Sequence, residues 1–440
     1  IFYFSVGENN LQTNPHLSIT HKRLNEAVKN DLGPEWELKD FEIKDFTKKG
    51  DNYACIVTGV SCRVARKEDE KTAYYVAKLN PLRPMSTNNV ICENIFAKEG
   101  SFLIQVSPTL NAILREIQYP TINFPECVYA NLEYGREILL LKDLRLKGFK
   151  MFDKHRGMDF EHSKMLIKEL AKLHSSSLLF KDTLINKTVN DVYPFLFNEF
   201  LEVQETGRET FEAFIKSNVD TSLKMIKHLK QYEKQYKWLE NLKENVMDTF
   251  LDLIKESPEN MRVICHGDCW NNNVLFRYNE DGHPIEITLL DLQMCRYGSV
   301  GLDLNYFFYT SLTGEVRNKF YDKLLSEYYH EFENVMKSAS KTMPFTELEF
   351  QKEIGKKNLF GIINGILVLP LIICETEDVP DFANVKDENI EEFLKEFTDT
   401  IIKISESSPT FNTRFMSLFD DINDRGIMEN DHTTISSSVK

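Results

Sequence analysis

The sequence has no excess of positive charge and no CxxC pair of cysteines. Lys and Arg number 53 against 68 Asp and Glu, which gives a formal net charge of −15 over 440 residues. A surface this acidic repels nucleic-acid phosphates and anionic lipid headgroups, so nucleic acid is not an expected partner. The eight cysteines lack zinc-site spacing and are expected to be reduced thiols of a cytoplasmic protein.

Long apolar runs are also missing. The strongest candidate, Phe360 to Cys374, covers 15 residues and is interrupted by Asn364, Gly365 and Pro370. Because a bilayer span needs about 20 apolar residues, this segment is predicted to be a buried core helix and no membrane span is expected. The opening IFYFSV is too short for the hydrophobic region of a secretory signal, so no export signal is predicted.

What is present is a globular composition with two kinds of periodicity. Hydrophobic residues make up 42% and charged residues 28%, which excludes a fibrous or fully disordered chain. From Phe41 to Leu144 the chain is rich in β-branched and aromatic residues and is predicted to form strands, with one helix around Ile95 to Leu114. Apolar residues at spacings of three and four then predict helices over 159–179, with Asp159 as N-cap, and over 221–256, 316–338 and 387–405.

This change in pattern predicts two lobes with a ligand-binding cleft between them. The first lobe covers residues 1–144 and is rich in strands. The second covers residues 145–420 and is mostly helical. The polar sequence from Ser405 onward suggests partial disorder, with a disordered tail over 421–440.

The most informative segment contains a predicted β-hairpin. Two apolar strands, Val274 to Arg277 and Ile285 to Leu290, flank a turn at Asp281 and Gly282. The outer ends of a hairpin lie together, so residues just before the first strand should meet those just after the second.

Three oxygen-bearing side chains lie at these outer ends. Asp268 and Asn273 precede the first strand, and Asp291 follows the second. Carboxylate and amide oxygens suit a hard cation such as Mg²⁺, which is usually shared with substrate phosphates. The order of these residues matches the catalytic-loop and metal-ligand scheme of kinases.

Longer motifs make the likeness specific. HGDCWNNNVLF, LLDLQ and GSVGLDLNYFF resemble the ecdysteroid-kinase-like proteins of insects, which are relatives of choline kinases and aminoglycoside phosphotransferases. KGDNYACIVTGV, YYVAKLNP, FAKEGSF and LAKLHSSSL extend the resemblance from about Lys49 to about Pro370. It implies a two-lobed, protein-kinase-like α+β fold with ATP and Mg²⁺ as cofactors.

The resemblance assigns roles that phosphoryl transfer requires. Asp268 is the candidate general base, and Asn273 and Asp291 are the candidate Mg²⁺ ligands. Lys78 would bind the α- and β-phosphates, and Glu99 would pair with Lys78.

Further positions follow from the same resemblance. Gly50 and Asn52 belong to a candidate nucleotide loop, although this loop lacks the three glycines of GxGxxG. Lys142 and Asp143 lie in the segment that would contact adenine. Asp303 resembles a structural residue that braces the catalytic loop.

Two histidines are interpreted as structural. His266 is expected to hold the loop through hydrogen bonds rather than to carry protons, because Asp268 already fills that role. His174, on the apolar face of a predicted helix, is expected to be a hydrogen-bonded core residue.

The implied activity is transfer of the γ-phosphoryl group of ATP to a small-molecule hydroxyl. The acceptor is expected to be an ecdysteroid or a similar alcohol, including xenobiotics in detoxification, and no obligate protein partner is inferred. The motif that is DFG in protein kinases reads Asp291-Leu292-Gln293 here, and no APE motif follows, which argues against a protein substrate. Two alternatives stay open: a non-catalytic nucleotide-binding protein, and a choline or ethanolamine kinase.

Overall fold

The computed structural model describes residues 14–45, 55–81, 86–199, 205–374 and 390–429. Strands dominate the first part of the chain and helices the remainder, as the α+β prediction requires. The lobe boundary at residue 144 stays a prediction. The candidate nucleotide-loop residues Gly50 and Asn52 lie outside the described residues.

Five strands form the N-lobe sheet. They are β1 Glu37–Asp45, β2 Ile56–Arg66, β3 Asp69–Leu79, β4 Cys127–Asn131 and β5 Ile138–Lys142. All pairings are antiparallel, in the order β1-β2-β3-β5-β4. Val60, Cys62 and Val64 alternate along β2 and are buried together with apolar residues of α1 (His21–Leu32). The position of β3 in the middle of the sheet fixes the location of Lys78.

Two helical segments separated by a π-helical turn follow β3. Helix α2 (Ser86–Ser101) leads into the turn, Phe102–Val106, and α3 (Ser107–Glu116) continues from it. The predicted helix around Ile95 to Leu114 is present, and the π-turn changes its hydrogen-bond pattern in the middle. Pro108, in the first turn of α3, has no N–H for the helical hydrogen-bond ladder, which fits a change of pattern at this place. Glu99 lies in the last turn of α2 and is buried.

The C-lobe is built from helices. They are α4 Phe160–Thr183, α5 Val189–Val192, α6 Glu205–Ile226, α7 Glu233–Lys255, α8 Val300–Ser311, α9 Gly314–Ser338, α10 Glu347–Lys356, α11 Asn358–Ile373, α12 Ile390–Ser407 and α13 Pro409–Asp424. Asp159 caps α4 as predicted, because its carboxylate accepts from the N–H of His162. Every residue of α8 is buried, so this helix forms the centre of the lobe.

Two small antiparallel sheets carry the loops of interest. Their strands are β6 Lys150–Met151, β7 Arg262–Cys265, β8 Val274–Tyr278, β9 Pro284–Leu289 and β10 Arg296–Ser299. β7 pairs with β10, and β8 lies between β6 and β9. The predicted hairpin is confirmed: β8 and β9 pair with Val274 opposite Leu289, and Gly282 in the turn has φ +80°.

Two sequence predictions in the C-lobe are wrong. The segment 221–256 is not one helix, because the chain turns after Ile226 and α6 and α7 pack against each other. The prediction of disorder from Ser405 fails for Pro409–Asp424, which is helical. Its apolar side chains recur at spacings of three and four and are buried. The prediction gave more weight to the polar residues between them than to this spacing. These buried residues include Phe411, Phe415, Leu418 and Ile422.

The apolar segment after Asn358 forms α11, and nearly all of its residues are buried, as predicted. Within the described ranges, no helix taken singly has the length and apolar composition needed to cross a bilayer. The pair α10 and α11, bent by 43° at their junction, meets those two criteria only when both helices are counted together.

Candidate active site

The loop of residues 266–273, the catalytic loop, connects β7 to β8 and carries Asp268 and Asn273. Gly267 has φ +84°, in the left-handed region that favours glycine. A Cβ at this position would lie 1.9 Å from the carbonyl oxygen of Met294. Only glycine therefore allows the loop to lie directly against the backbone that follows β9.

Asn273 contacts Asp268 through both of its amide hydrogens. Its Nδ2 donates to the backbone oxygen of Asp268 at 2.8 Å and to the carboxylate Oδ2 at 2.9 Å. The backbone oxygen of Asn273 accepts from the N–H of Leu290 at 2.8 Å, so the outer ends of the hairpin meet. Because both N–H bonds are used, Oδ1 is the side-chain atom of Asn273 suited to bind a cation.

Asp291 follows β9 in an unusual backbone conformation, with φ 63° and ψ 57°. This region costs a non-glycine residue roughly 1 kcal/mol or more and is often occupied at functional sites. The carboxylate Oδ1 of Asp291 accepts from Nζ of Lys78 at 2.5 Å, and the side chain is 23% exposed. Asp291 therefore reaches from the C-lobe to the N-lobe sheet while keeping part of its surface open.

Lys78 lies between two carboxylates. Its Nζ is 2.5 Å from Oε2 of Glu99 and 2.5 Å from Oδ1 of Asp291. Burial works against the charged form of Lys78, but Asp291 and Glu99 together raise its pKa well above the ordinary value. Burial raises the pKa of Glu99, against the attraction of Lys78. The Lys78–Glu99 contact implied by the resemblance is present, and Lys78 is a cation at neutral pH.

Asp268 is held by neutral donors instead. Tyr306, on α8, donates its hydroxyl to Oδ1 at 2.6 Å, while Asn273 donates to Oδ2. Burial and the negative charge of Asp291 raise the pKa of Asp268, and Tyr306, His266 and Asn273 offset only part of this rise. A carboxylate with a raised pKa takes up a proton more readily, which suits a general base.

Asp303, also on α8, fixes the start of the catalytic loop. Its carboxylate accepts from the N–H of His266 at 2.6 Å and from the N–H of Gly267 at 2.8 Å. His174 contacts Asp303 through Nε2 at 3.0 Å and the hydroxyl of Tyr328 through Nδ1 at 2.8 Å. These contacts agree with a bracing role for Asp303 and with His174 as a hydrogen-bonded core residue.

His266 takes part in the hydrogen bonds of its own loop. Its Nδ1 accepts from the N–H of Asp268 at 3.3 Å. Its Nε2 is buried and contacts no hydrogen-bonding atom in the part of the chain that the structure describes. The bond to the loop backbone supports the predicted holding role.

One buried cluster has the spacing of a metal site. The potential ligand atoms of His174, Cys265 and Asp303 lie within 4.8 Å of one another. However, both ring nitrogens of His174 and both oxygens of Asp303 have hydrogen-bond partners. Burial raises the pKa of the Cys265 thiol well above its ordinary value, and a protonated thiol is a poor ligand. The cluster is therefore a hydrogen-bonded part of the core.

Lys142, the last residue of β5, and Asp143, which follows it, contact other protein groups. Nζ of Lys142 is 2.7 Å from Asp31 and 2.8 Å from Glu126. The carboxylate of Asp143 accepts from the backbone and the guanidinium of Arg145. None of these contacts links Lys142 or Asp143 to the carboxylates of Glu99 and Asp291. Nucleotide binding by Lys142 and Asp143 stays a prediction.

Sequence reasoning missed two residues that hold this site. One is Tyr306, which contacts Asp268, and the other is Lys98, whose Nζ donates to the backbone oxygen of Cys295 at 3.0 Å. The three-residue spacing from Asp303 to Tyr306 was an available signal, because it places both side chains on one helix face. Lys98 offered none, since its partner is a backbone oxygen 197 residues away.

The donor set fits a magnesium-bound nucleotide. Asp291 provides a partly exposed carboxylate, and Asn273 provides an amide oxygen oriented by its bonds to Asp268. Hard oxygen ligands of this kind are the ones that Mg²⁺ prefers. Lys78 adds a cation beside them, suited to phosphate oxygens.

Solved structures with a similar backbone include an ethanolamine kinase, a choline kinase and an aminoglycoside phosphotransferase. An ethanolamine kinase of Plasmodium vivax matches with a TM-score of 0.41 and 13% identity, covering 88% of each chain. A choline kinase of Streptococcus pneumoniae matches with a TM-score of 0.35 and 12% identity, covering 87% of this chain and 98% of that one. An aminoglycoside 2'-phosphotransferase matches with a TM-score of 0.38 and 8% identity, covering 92% of this chain and all of that one. No curated protein sequence matches the chain.

The sequence itself matches one protein family over residues 49–340, which is most of the chain. This range includes β3 with Lys78, the catalytic loop, the hairpin that ends at Asp291, and α8. The expected two-lobed kinase-like fold is present in its elements: a small antiparallel sheet, a helix that carries Glu99, and a helical lobe that contains these loops. The chain belongs to the ecdysteroid kinase-like family.

Proposed function

We propose that the protein transfers the γ-phosphoryl group of ATP to a hydroxyl group of a small molecule. Family membership supports the broader activity, a kinase-like phosphotransferase that acts on a small-molecule hydroxyl. One observation carries the proposal: Lys78 donates to Asp291, Asn273 donates to Asp268, and the backbone bond from Leu290 to Asn273 brings these two pairs together. The four residues are a cation, two candidate metal ligands and a carboxylate of raised pKa.

On the nucleotide side, Lys78 binds the α- and β-phosphates, and Glu99 keeps the lysine side chain in place. Asp291 and Asn273 hold the magnesium ion. When bound, Mg²⁺ neutralises charge on the β- and γ-phosphates. This role explains why Asp291 has a partly exposed side chain although Lys78 and Glu99 are buried.

On the acceptor side, Asp268 receives the proton of the attacking hydroxyl. The acceptor oxygen forms a bond to the γ-phosphorus, and the bond from that phosphorus to the β–γ bridging oxygen breaks, so that ADP leaves with the electron pair. An ionised carboxylate has about four acceptor positions. Tyr306 and Asn273 occupy one position on each oxygen of Asp268, so each oxygen keeps a lone pair that can accept from the acceptor hydroxyl.

The acceptor class proposed is an ecdysteroid or a similar small alcohol, including xenobiotic alcohols in detoxification within the cytoplasm. A steroid requires a broad apolar pocket, whereas a choline-like cation requires an aromatic or acidic cage. The 31 Phe and 17 Tyr of the sequence are compatible with both kinds of pocket. The acceptor must therefore be identified by assay.

The test measures ADP release by purified protein with ATP, Mg²⁺ and a panel of sterols, alcohols, choline and ethanolamine. Asp268→Asn should lower acceptor-dependent release by about 10²–10⁴-fold. The matched control is Asp281→Asn, an exposed carboxylate in the hairpin turn, which should leave release unchanged.

Titration calorimetry with ATP and Mg²⁺ separates the alternatives. If ATP binds but no acceptor raises release above the Asp268→Asn level, the protein is a non-catalytic nucleotide-binding member of the family. If only choline or ethanolamine raises release, the acceptor is an amino alcohol.

A further inference from the structure

Helix α8 follows the catalytic loop and contacts it at three successive places. Asp303 accepts from two N–H groups at the start of the loop. The hydroxyl of Tyr306 donates to Oδ1 of Asp268 at 2.6 Å. Farther along the helix, Oγ of Ser311 accepts from the N–H of Asn271 at 3.0 Å. The helix thus contacts the backbone of the loop on both sides of Asp268 and its side chain in the middle.

The position of the Tyr306 hydroxyl is determined by the core. Every residue of α8 is buried, and Tyr306 lies three residues after Asp303, on the same helix face. The backbone oxygen of Tyr306 also accepts from the hydroxyl of Thr310 at 2.7 Å. The helix that fixes both sides of the catalytic loop therefore also places the Tyr306 side chain beside Asp268.

A second donor on Asp268 has a specific geometric effect. The terminal torsion of an aspartate is broad, so a single hydrogen bond leaves the carboxylate plane poorly defined. Asn273 donates to Oδ2, and Tyr306 donates to Oδ1. With one donor on each oxygen, the plane of the carboxylate and the direction of its remaining lone pairs are fixed.

We propose that Tyr306 is a positioning residue that sets the rotation of the Asp268 carboxylate for attack by the acceptor hydroxyl. The proposal rests on the proposed function and makes it more specific. It concerns the phosphoryl-transfer step rather than nucleotide binding, because none of the described contacts of Tyr306 involves Lys78 or Asp291. A displacement of about 1 Å of a reacting group can cost about 10²-fold in rate.

The test compares two tyrosine variants of the same helix. Tyr306→Phe keeps the ring and removes only the hydroxyl that contacts Asp268. The control is Tyr309→Phe, whose lost hydroxyl lies 3.3 Å from Oδ1 of Asn358. Asn358 keeps a partner there, since Tyr321 also donates to it at 3.1 Å.

Tyr306→Phe should lower kcat, expressed per ATP-binding site counted by titration calorimetry, by about ten- to a hundredfold with the KM for ATP unchanged. Counting the sites that bind ATP excludes a loss of folded protein as the cause of the lower kcat. Tyr309→Phe should keep both constants. If Tyr306→Phe retains the wild-type kcat, or raises the KM for ATP as much as it lowers kcat, the positioning role is overturned while the kinase activity stands.

A wild-type protein without turnover would instead overturn the proposed function. In that case crystal structures of both variants decide the positioning role. The Asp268 carboxylate should rotate in Tyr306→Phe and stay in place in Tyr309→Phe. An unchanged carboxylate in Tyr306→Phe overturns the proposal without any activity measurement.

Discussion

The two carboxylates at the centre of this site are held in opposite ways. Asp291 contacts a cation, Lys78, has a left-handed backbone conformation and is 23% exposed. Among the described residues, the side chains that donate to Asp268 are the neutral Tyr306 and Asn273, and burial raises the pKa of Asp268.

This difference separates two chemical tasks. A metal ligand must present a free carboxylate oxygen to the ion, and Asp291 keeps part of its side chain exposed. A general base must also be able to take up a proton, and neutral donors can orient a carboxylate without adding a full positive charge beside it. Two aspartates whose environments differ in this way suit the ligand and base roles proposed for them.

The sharpest way to break this comparison is to remove the proposed ligand alone. Asp291→Ala should lower turnover by about 10³-fold or more, because loss of the ion removes several kcal/mol of charge stabilisation. Unlike Asp268→Asn, it should also abolish Mg²⁺-dependent ATP binding, measured by titration calorimetry. Asp281→Ala, in the exposed hairpin turn, is the control. Full Mg²⁺-dependent binding by Asp291→Ala would remove its metal role.

Removing the ammonium group of Lys78 tests the environment of Asp291 from the other partner. Lys78→Met should lower kcat/KM for ATP by about 10²-fold, since a phosphate contact worth roughly 2.7 kcal/mol is lost. It should also lower the free energy of unfolding by about 3 kcal/mol, because Glu99 is left buried without its partner. Lys395→Met, at an exposed position of α12, is the control for activity and urea unfolding.

A second substitution separates the two effects of Lys78. Adding Glu99→Gln to Lys78→Met removes the uncompensated charge, so part of the stability should return while ATP turnover stays low. Recovery of turnover in the double variant would contradict a direct contact between Lys78 and phosphate.

Local sequence patterns predicted the hairpin that carries the site and the helix that begins after Asp159. Hairpin geometry alone predicted Asn273 beside the end of the second strand, and apolar spacing with the Asp159 cap predicted a helix over 159–179, which the structure has as Phe160–Thr183. The resemblance then supplied the Lys78–Glu99 contact, which no local pattern could give, because the two residues are on different elements.

The contacts of Lys98 and Tyr306 were not predicted, because they depend on packing between segments that are distant in sequence. Lys98 binds a backbone oxygen, and Tyr306 reaches Asp268 only because α8 is buried against the catalytic loop. The helix α13 was not predicted, because the polar composition of the segment after Ser405 was given more weight than the helical spacing of its apolar residues. For Lys98 and Tyr306 the deciding contact joins segments that are distant in sequence, whereas the spacing that indicates α13 is local.

The smallest effect expected concerns the support beneath Asp268 rather than its chemistry. Asp303 accepts from His174 and from the first N–H groups of the catalytic loop. Burial acts to raise the pKa of Asp303, but these donors lower it below the ordinary value of 3.8. A carboxylate with a lowered pKa in the folded state stabilises the protein above its unfolded pKa, and this contribution is lost as the pH falls through the folded value.

Asp303→Asn should therefore lower the free energy of unfolding by about 2 kcal/mol at pH 7, because a buried charge-assisted hydrogen bond is lost. The difference from wild type should narrow as the pH falls below about 4, because Asp303 of the unfolded protein then takes up a proton more readily than Asp303 of the folded protein, whose pKa is lower. Urea unfolding at several pH values measures this, with Asp322→Asn, an exposed position on α9, as control. A difference that stays constant down to pH 3 would show that Asp303 acts through its shape and not its charge, and Asp268 would then rest on a loop held by packing alone.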